Sequence, residues 1–281
     1  MDGAALVSDE LQNFEEIMRV LKPSAGERPR LAGIDIDSVS MPFNGVLGGD
    51  HVVYVDFKRR YELDAMADKA AERGRDDLAA QLRENKHRAG ILLADVAGHR
   101  LTDALVAAML HQAFLVGSSY ELEMFGQITT RLFEHIRTRF YESTNIKKLI
   151  ALIYGEITDN GRFRYLSAGH TPPRVFSREF GRIMPLGAER TVSETLIGLL
   201  PATTAAPVNE IELFGSGDIL LLATDGLTDH ADGRFLAEGL EPCLDEAKDL
   251  SAGEICGRLR EAIVGYGPAT DDITYVVIKR S

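Results

Sequence analysis

Residues 9–21 place Leu11, Phe14, Ile17, Met18 and Leu21 at the spacing of one helical face, and Pro23 stops the pattern. The rhythm then changes. Residues 31–40 alternate Ile34, Ile36 and Val39 imperfectly and predict a first strand, followed by a Gly- and Pro-rich loop, MPFNGVLGGD, that closes on Asp50. The β-branched and aromatic run at 51–57 predicts a second strand, and the apolar run at 91–95 a third. Between them, half of residues 59–88 are charged, with Leu63, Met66 and Ala70, then Leu78 and Leu82, at helical spacing on either side of Gly74. Two short helices with a break are expected there, either as a salt-bridged solvated surface or as a docking surface for a partner or a second copy of the chain.

From 101 onward, Leu101, Leu105, Ala108, Met109, Ala113 and Val116 make a broad apolar face, and from 121 the pattern repeats at Leu122, Phe125, Ile128, Leu132 and Ile136. Two successive helices are predicted. Strands follow at 148–158, 161–167 and 173–177, the first two joined by the hairpin signal Asp159-Asn160-Gly161. A short strand at 190–195, a loop at 199–208 and strands at 211–214 and 219–223 come next. Helices at 235–247 and 252–264 and a strand at 273–279 complete the chain.

Many strands in sequential hairpins, with helices in two pairs, predict an α+β protein. The runs ILLADV and ILLLATDG are almost continuously apolar, as in strands buried on both faces. Helices must then cover the outer sides, which gives a four-layer α-β-β-α sandwich of two antiparallel sheets flanked by helices. No apolar run reads as long enough to cross a bilayer, and the first residues have neither a basic n-region nor an apolar h-region. The expectation is a cytoplasmic protein with no membrane partner.

Composition narrows the classes of partner. The formal net charge of −12 over 281 residues argues against nucleic acid, whose binding rests on clustered Lys and Arg. Cys243 and Cys256 stand thirteen positions apart without CxxC spacing, so neither a zinc site nor a disulfide framework follows and two reduced thiols are expected.

Acidic residues mark the strand ends. Asp95 closes an apolar strand, where an unpaired charge is costly to desolvate and calls for donors, a counter-charge or a metal. Asp50 stands just before the preceding strand, so an antiparallel pairing of the two brings both carboxylates to one open edge. The same holds for Asp225, which ends a strand, and Asp271, which precedes the last one beside Asp272. The segment 59–88 would lie at the opposite end of its hairpin, away from the acids. Two unit charges 4 Å apart repel by about 4 kcal/mol at a surface-like dielectric, so a four-carboxylate rim calls for cations. All-oxygen ligands suit Mg²⁺ and Mn²⁺.

The ordered segments GGDHVVYVDF, ILLADVAGH with its apolar helix, LSAGHTPP, GDILLLATDGLTD and DDITYVVIK resemble the bacterial PPM-type protein phosphatases of the SpoIIE and RsbU kind. The likeness runs from the N-terminal helix onward. It implies a lead-in helix at 1–24 and a phosphatase domain at 25–281 with a charged helical insertion at 59–88. It also implies hydrolysis of phosphoserine or phosphothreonine with two Mn²⁺ or Mg²⁺ ions. By the same resemblance, Asp95 bridges both metals, the Val96 carbonyl is a backbone ligand, Asp50 binds a water or one metal, and Asp225 and Asp271 hold the other. Asp272 orients the turn or exchanges roles with Asp271. The substrate class implied is a phosphoprotein such as an anti-sigma-factor antagonist. From the residues themselves, the helix at 9–21, either packed on the domain or facing a partner, and the segment 59–88 are the candidates for docking a regulator or a second copy. A catalytically weak scaffold of the same fold, binding a regulator, is the alternative, and hydrolysis of small phosphoesters is a second.

The chain departs from its relatives just past Asp95. Where relatives with a histidine general acid carry it, this chain has Ala97, and His99 close by is the remaining candidate. Arg100 either contacts substrate phosphate or is a solvated helix-start residue. His170, in AGH, is expected to position loop backbone beneath the site.

Overall fold

A computed structural model describes residues 3–21, 27–43, 48–98, 100–143, 148–202, 205–213 and 215–281. Its strands are β1 (Ile34–Met41), β2 (His51–Asp56), β3 (Arg88–Val96), β4 (Ile150–Thr158), β5 (Arg162–Ala168), β6 (Arg174–Ser177), β7 (Arg182–Met184), β8 (Asn209–Glu212), β9 (Ile219–Ala223) and β10 (Ile273–Arg280). They form two antiparallel five-stranded sheets, ordered β1-β10-β9-β6-β7 and β2-β3-β4-β5-β8. The α+β sandwich anticipated from the apolar runs is the fold observed.

Three cores explain why the strands read as continuous apolar stretches. Ile91 and Leu93 of β3 point between the sheets and meet Val52, Phe163, Leu222 and Val276. Their neighbours Leu92, Ala94 and Val96 point outward, because side chains alternate along a strand. The outward set packs under α3 (Leu63–Glu72), α4 (Asp76–Glu84), α5 (Leu101–Phe125) and α6 (Thr130–Glu142), with Phe114, Phe133 and Tyr154 at its centre. On the other flank, α8 (Leu240–Ala247) and α9 (Ala252–Tyr266) cover Leu221, Tyr275 and Val277. The two short helices expected in 59–88 are present as α3 and α4. They follow α2 (Phe57–Arg60) and lie at the Asp56↔Ala89 end of the β2–β3 pair.

Several boundaries differ from the periodic reading. The N-terminal helix, α1 (Gly3–Leu21), starts six residues earlier than predicted, and Pro23 lies outside the described residues. The helix α5 runs unbroken past Glu121 to Phe125, and the break falls where Gly126 adopts φ 71° as its left-handed cap. Of the face assigned to this helix, Leu101, Leu105, Met109 and Val116 are exposed, whereas Val106, Leu110, Phe114 and Leu122 are buried. The helix is apolar on more than one side, and the sheet takes the side bearing Phe114. By length and composition α5 is long and apolar enough to cross a bilayer, contrary to the reading of apolar runs, although here it packs on the second sheet. In place of the strand at 190–195 there is a 3₁₀ turn, Ala188–Arg190, and a single bridge from Glu194 to Ala168. Arg137 of α6 explains this: its guanidinium takes the Glu194 carboxylate and the Thr195 hydroxyl, so side chains rather than a ladder anchor the segment. The short edge strand β7 has no alternation to betray it. Phe214, assigned to the strand preceding GSGD, lies outside the described residues.

Gly257 sits in the interior of α9, exposed, with nothing within 4 Å of the position a Cβ would take. Gly257→Ala is therefore expected to stabilise the protein by about 0.5–1 kcal/mol, read as a rise in thermal midpoint with unchanged activity.

Candidate metal centre

The antiparallel register of β2 and β3 pairs His51 with Ala94, which sets Asp50 and Asp95 at the same end of that hairpin. In the facing sheet Tyr275 pairs with Ala223, so Asp225 and the Asp271–Asp272 turn share an end as well. The two ends meet. Thr224, between β9 and α7 (Asp225–Thr228), donates its hydroxyl to Asp50 Oδ2 at 2.8 Å, a bond that ties one sheet to the other. Asp272 is buried and accepts from the backbone N–H groups of Phe43 and Gly49, each at 2.7 Å, so it pins the loop that delivers Asp50.

Glycines make this approach possible. A Cβ on Gly49 would stand 2.3 Å from the Val96 carbonyl oxygen and 2.6 Å from that of Gly98. One on Gly226 would stand 1.9 Å from the Asp272 carbonyl oxygen. The GGD and TDG signatures therefore reflect close backbone packing around the acids.

Charge crowding shows in the acids themselves. Burial, then the charges of Asp225 and Asp271, pushes the Asp95 carboxyl up to about 7. Asp50 is raised well above the carboxylate range by burial and then by Asp95. Asp225 is raised by burial, then by Asp271 and Asp229, and shares a hydrogen bond with Asp95. Asp229 was not singled out from the sequence; it is brought near by the turn of α7, which a four-residue helix hides from periodicity.

The linkage has a definite sign. A carboxyl whose folded pKa is raised binds its proton more tightly folded than unfolded, so the metal-free fold loses stability as pH climbs from about 4 to about 7. His170 and His111, both lowered by burial, act oppositely, so the acid effect is isolated by comparing variants. Metal-free Asp95→Asn is expected to be more stable than the parent by on the order of 2–4 kcal/mol at pH 8, the difference vanishing below about pH 4. Denaturant unfolding at the two pH values in a chelating buffer checks this; an equal difference at both would exclude the ionisation of Asp95 as its cause.

Other predicted positions fall around the acids. His99 lies outside the described residues. Arg100 is exposed at the N-cap of α5, and its backbone N–H donates to Asp103 Oδ2 at 2.8 Å. His170 is buried, neutral with its pKa lowered to about 4 by burial, and its Nδ1 is 3.0 Å from the Thr171 carbonyl oxygen. The Thr171 hydroxyl in turn donates to the Ala223 carbonyl, fastening this loop to the end of β9. Asp103 is fully buried and paired with Lys148 Nζ at 2.6 Å, while Lys148 also donates to the Ala97 carbonyl. That pair holds the turn after Asp95 against α5. His51 Nε2 lies 2.7 Å from His111 Nδ1, a contact that sequence spacing does not disclose.

Among the described residues no three His, Cys, Asp or Glu side chains already surround one point. The fit to a metal is therefore one of donor chemistry. Crowded carboxylates with raised proton affinity, together with a close-packed carbonyl at Val96, are oxygen donors of the kind hard divalent cations take.

Comparison with known proteins bears on this arrangement. The sequence profile of the family described as Stage II sporulation protein E (SpoIIE) matches residues 85–281. The phosphoserine phosphatase RsbP of Bacillus subtilis (strain 168) is 29% identical over 106 residues, 37% of this chain and 26% of RsbP, so the match spans about a quarter of that relative. Among solved structures, the SiaA-PP2C domain of Pseudomonas aeruginosa superposes with a TM-score of 0.66 at 17% identity, covering 100% of both chains. The RsbU and RsbW domains of a Mycobacterium tuberculosis protein give a TM-score of 0.62 at 20% identity, covering 90% of this chain and 61% of that one. At these identities the structural likenesses establish the fold.

Proposed function

The chain belongs to the SpoIIE family of PPM-type phosphatases, and from that premise we propose that it hydrolyses phosphoserine or phosphothreonine on a partner protein with two Mn²⁺ or Mg²⁺ ions. The observation that carries the reading is the convergence of Asp50, Asp95, Asp225 and Asp271 on one rim, with Asp95 raised to about 7 by burial and then by its acidic neighbours. In this reading Asp95 would serve both ions, the Val96 carbonyl and Asp50, directly or through water, would contribute on one side, and Asp225 and Asp271 would hold the other. The ions, when bound, neutralise the rim and supply a water acidic enough to act as nucleophile near neutral pH.

The chain's own groups prepare that state. Asp272, by holding the N–H groups of Phe43 and Gly49, fixes the loop carrying Asp50; Thr224 orients the Asp50 carboxylate. Asp95 must give up its proton to take a cation, so metal affinity is expected to rise with pH through neutrality. Unmetallated, the rim repels a phosphate dianion. His99 is the candidate general acid, Arg100 serves at the helix start or on the substrate phosphate, and His170 positions the loop that meets β9.

The remaining assignments rest on likeness. A phosphoprotein of the anti-sigma-factor-antagonist type is the proposed substrate, in the cytoplasm, with a regulator or second copy docking through 9–21 or 59–88. The test is hydrolysis of a phosphoserine peptide as Mn²⁺ or Mg²⁺ is raised, with calorimetric titration of Mn²⁺ alongside. Metal-dependent turnover of the peptide is expected. Absence of Mn²⁺ binding in the millimolar range would favour the regulator-binding scaffold, and turnover confined to small phosphoesters would favour a metabolite phosphatase.

A further inference from the structure

At the end of the second sheet remote from the acids, β4 and β5 floor a cleft of about 490 Å³ walled by the start of α6. Arg88, which lines it, and Asp95 stand at opposite ends of β3, seven residues or roughly 23 Å apart. The cleft is thus separate from the rim, and its size is that of a small-molecule site.

Its walls combine apolar surface with unsatisfied donors. Phe133 of α6 stacks on Tyr154 with ring centres 5.1 Å apart, and Leu166 continues the apolar floor. Three arginines, Arg88, Arg162 and Arg164, line it together with Glu84 and Glu156. Glu156 is already engaged, accepting from the Tyr154 hydroxyl at 2.8 Å and from Arg88 Nη1 at 3.1 Å. Glu210 is engaged too, by Arg162 at 2.6 Å and by Arg164 at 3.7 Å. Even so, Arg88 Nε and Thr129 Oγ1 are buried here with no partner. Thr129 is the N-cap residue of α6, yet its hydroxyl makes no cap bond. Buried donors left unmade are unfavourable, and a group that accepted from both would be held firmly.

We propose that this cleft is a second binding site, for a small organic anion whose apolar body lies on Phe133, Tyr154 and Leu166 and whose carboxylate meets Arg88, Arg164 and Thr129. An anion is selected because Arg88 Nε and the Thr129 hydroxyl are buried donors that meet no acceptor, while the Glu156 carboxylate is already bonded. The apolar body is selected because Phe133, Tyr154 and Leu166 are among the residues that line the cleft.

The probe is benzoate, titrated into the full chain in chelating buffer and followed by calorimetry and ligand-observed NMR, with inorganic phosphate in a parallel series. Thr129→Val removes the hydroxyl at constant volume, and Arg164→Ala removes an exposed guanidinium; neither touches a core. Saturable one-to-one binding of benzoate is expected, weakened at least fivefold in each variant, with Asp95→Asn unchanged. No saturation below about 10 mM, the affinity a ligand of so few atoms reaches at ordinary efficiency, would overturn the site. So would benzoate affinity unaltered in both cleft variants, or phosphate binding as tightly as benzoate.

Discussion

Asp95→Asn is expected to lower Mn²⁺-stimulated phosphopeptide hydrolysis by about a thousandfold or more while leaving the fold intact. The carboxamide matches the carboxylate in size, so the packing at the end of β3 survives. What disappears is the charge that would hold two cations together. Metal-borne charge stabilisation contributes several kcal/mol to such a reaction, and each 1.4 kcal/mol is a factor of ten. Raising Mn²⁺ would restore little, because an amide oxygen is a poor bridge between two ions. The parent and variant should be compared as rate against metal concentration, with circular dichroism to verify the fold. Full activity in the variant would sink the metal-centre assignment.

Gly49→Ala is expected to be nearly as damaging without changing any charge. The added methyl meets the carbonyl oxygens of Val96 and Gly98 at 2.3 and 2.6 Å, and both belong to backbone that cannot swing aside. Either the loop bearing Asp50 or the turn after Asp95 must retreat. Gly49 also donates to Asp272 and accepts from the Val96 N–H, so its retreat breaks the bonds that set the loop. A loss of about 1–3 kcal/mol in stability is expected from the overpacking, with Mn²⁺ affinity down at least a hundredfold. Unfolding by denaturant and calorimetric metal titration separate the two effects. A variant that unfolds earlier yet binds Mn²⁺ as the parent does would show that the approach of Gly49 to Val96 serves stability alone.

These two positions were not equally visible in the sequence. Asp95 was legible because a carboxylate ending an apolar strand contradicts its surroundings, and hairpin polarity alone predicts that Asp50 joins it. The need for glycine at position 49 could be quoted as part of a motif, but its cause lay in an encounter with Val96 and Gly98. The Asp50–Thr224 bond, spanning 174 positions, left no local trace at all.

Period-two and period-3.6 patterns determined the α+β class, most strand positions, the pair of helices in 59–88 and the polarity that sends four acids to one rim. Each follows from the geometry of a single element or of neighbouring strands, which local sequence encodes. Only the tertiary structure decided which side of α5 meets the sheet, since that helix is apolar on several sides and the choice falls to the partner it packs against. It likewise decided that Asp103 is buried with Lys148, that Arg137 replaces a strand ladder at Glu194, and that Arg88 and Thr129 share a cleft. Each of these depends on residues far apart in sequence, whose meeting is fixed by sheet order and helix packing rather than by any pattern along the chain.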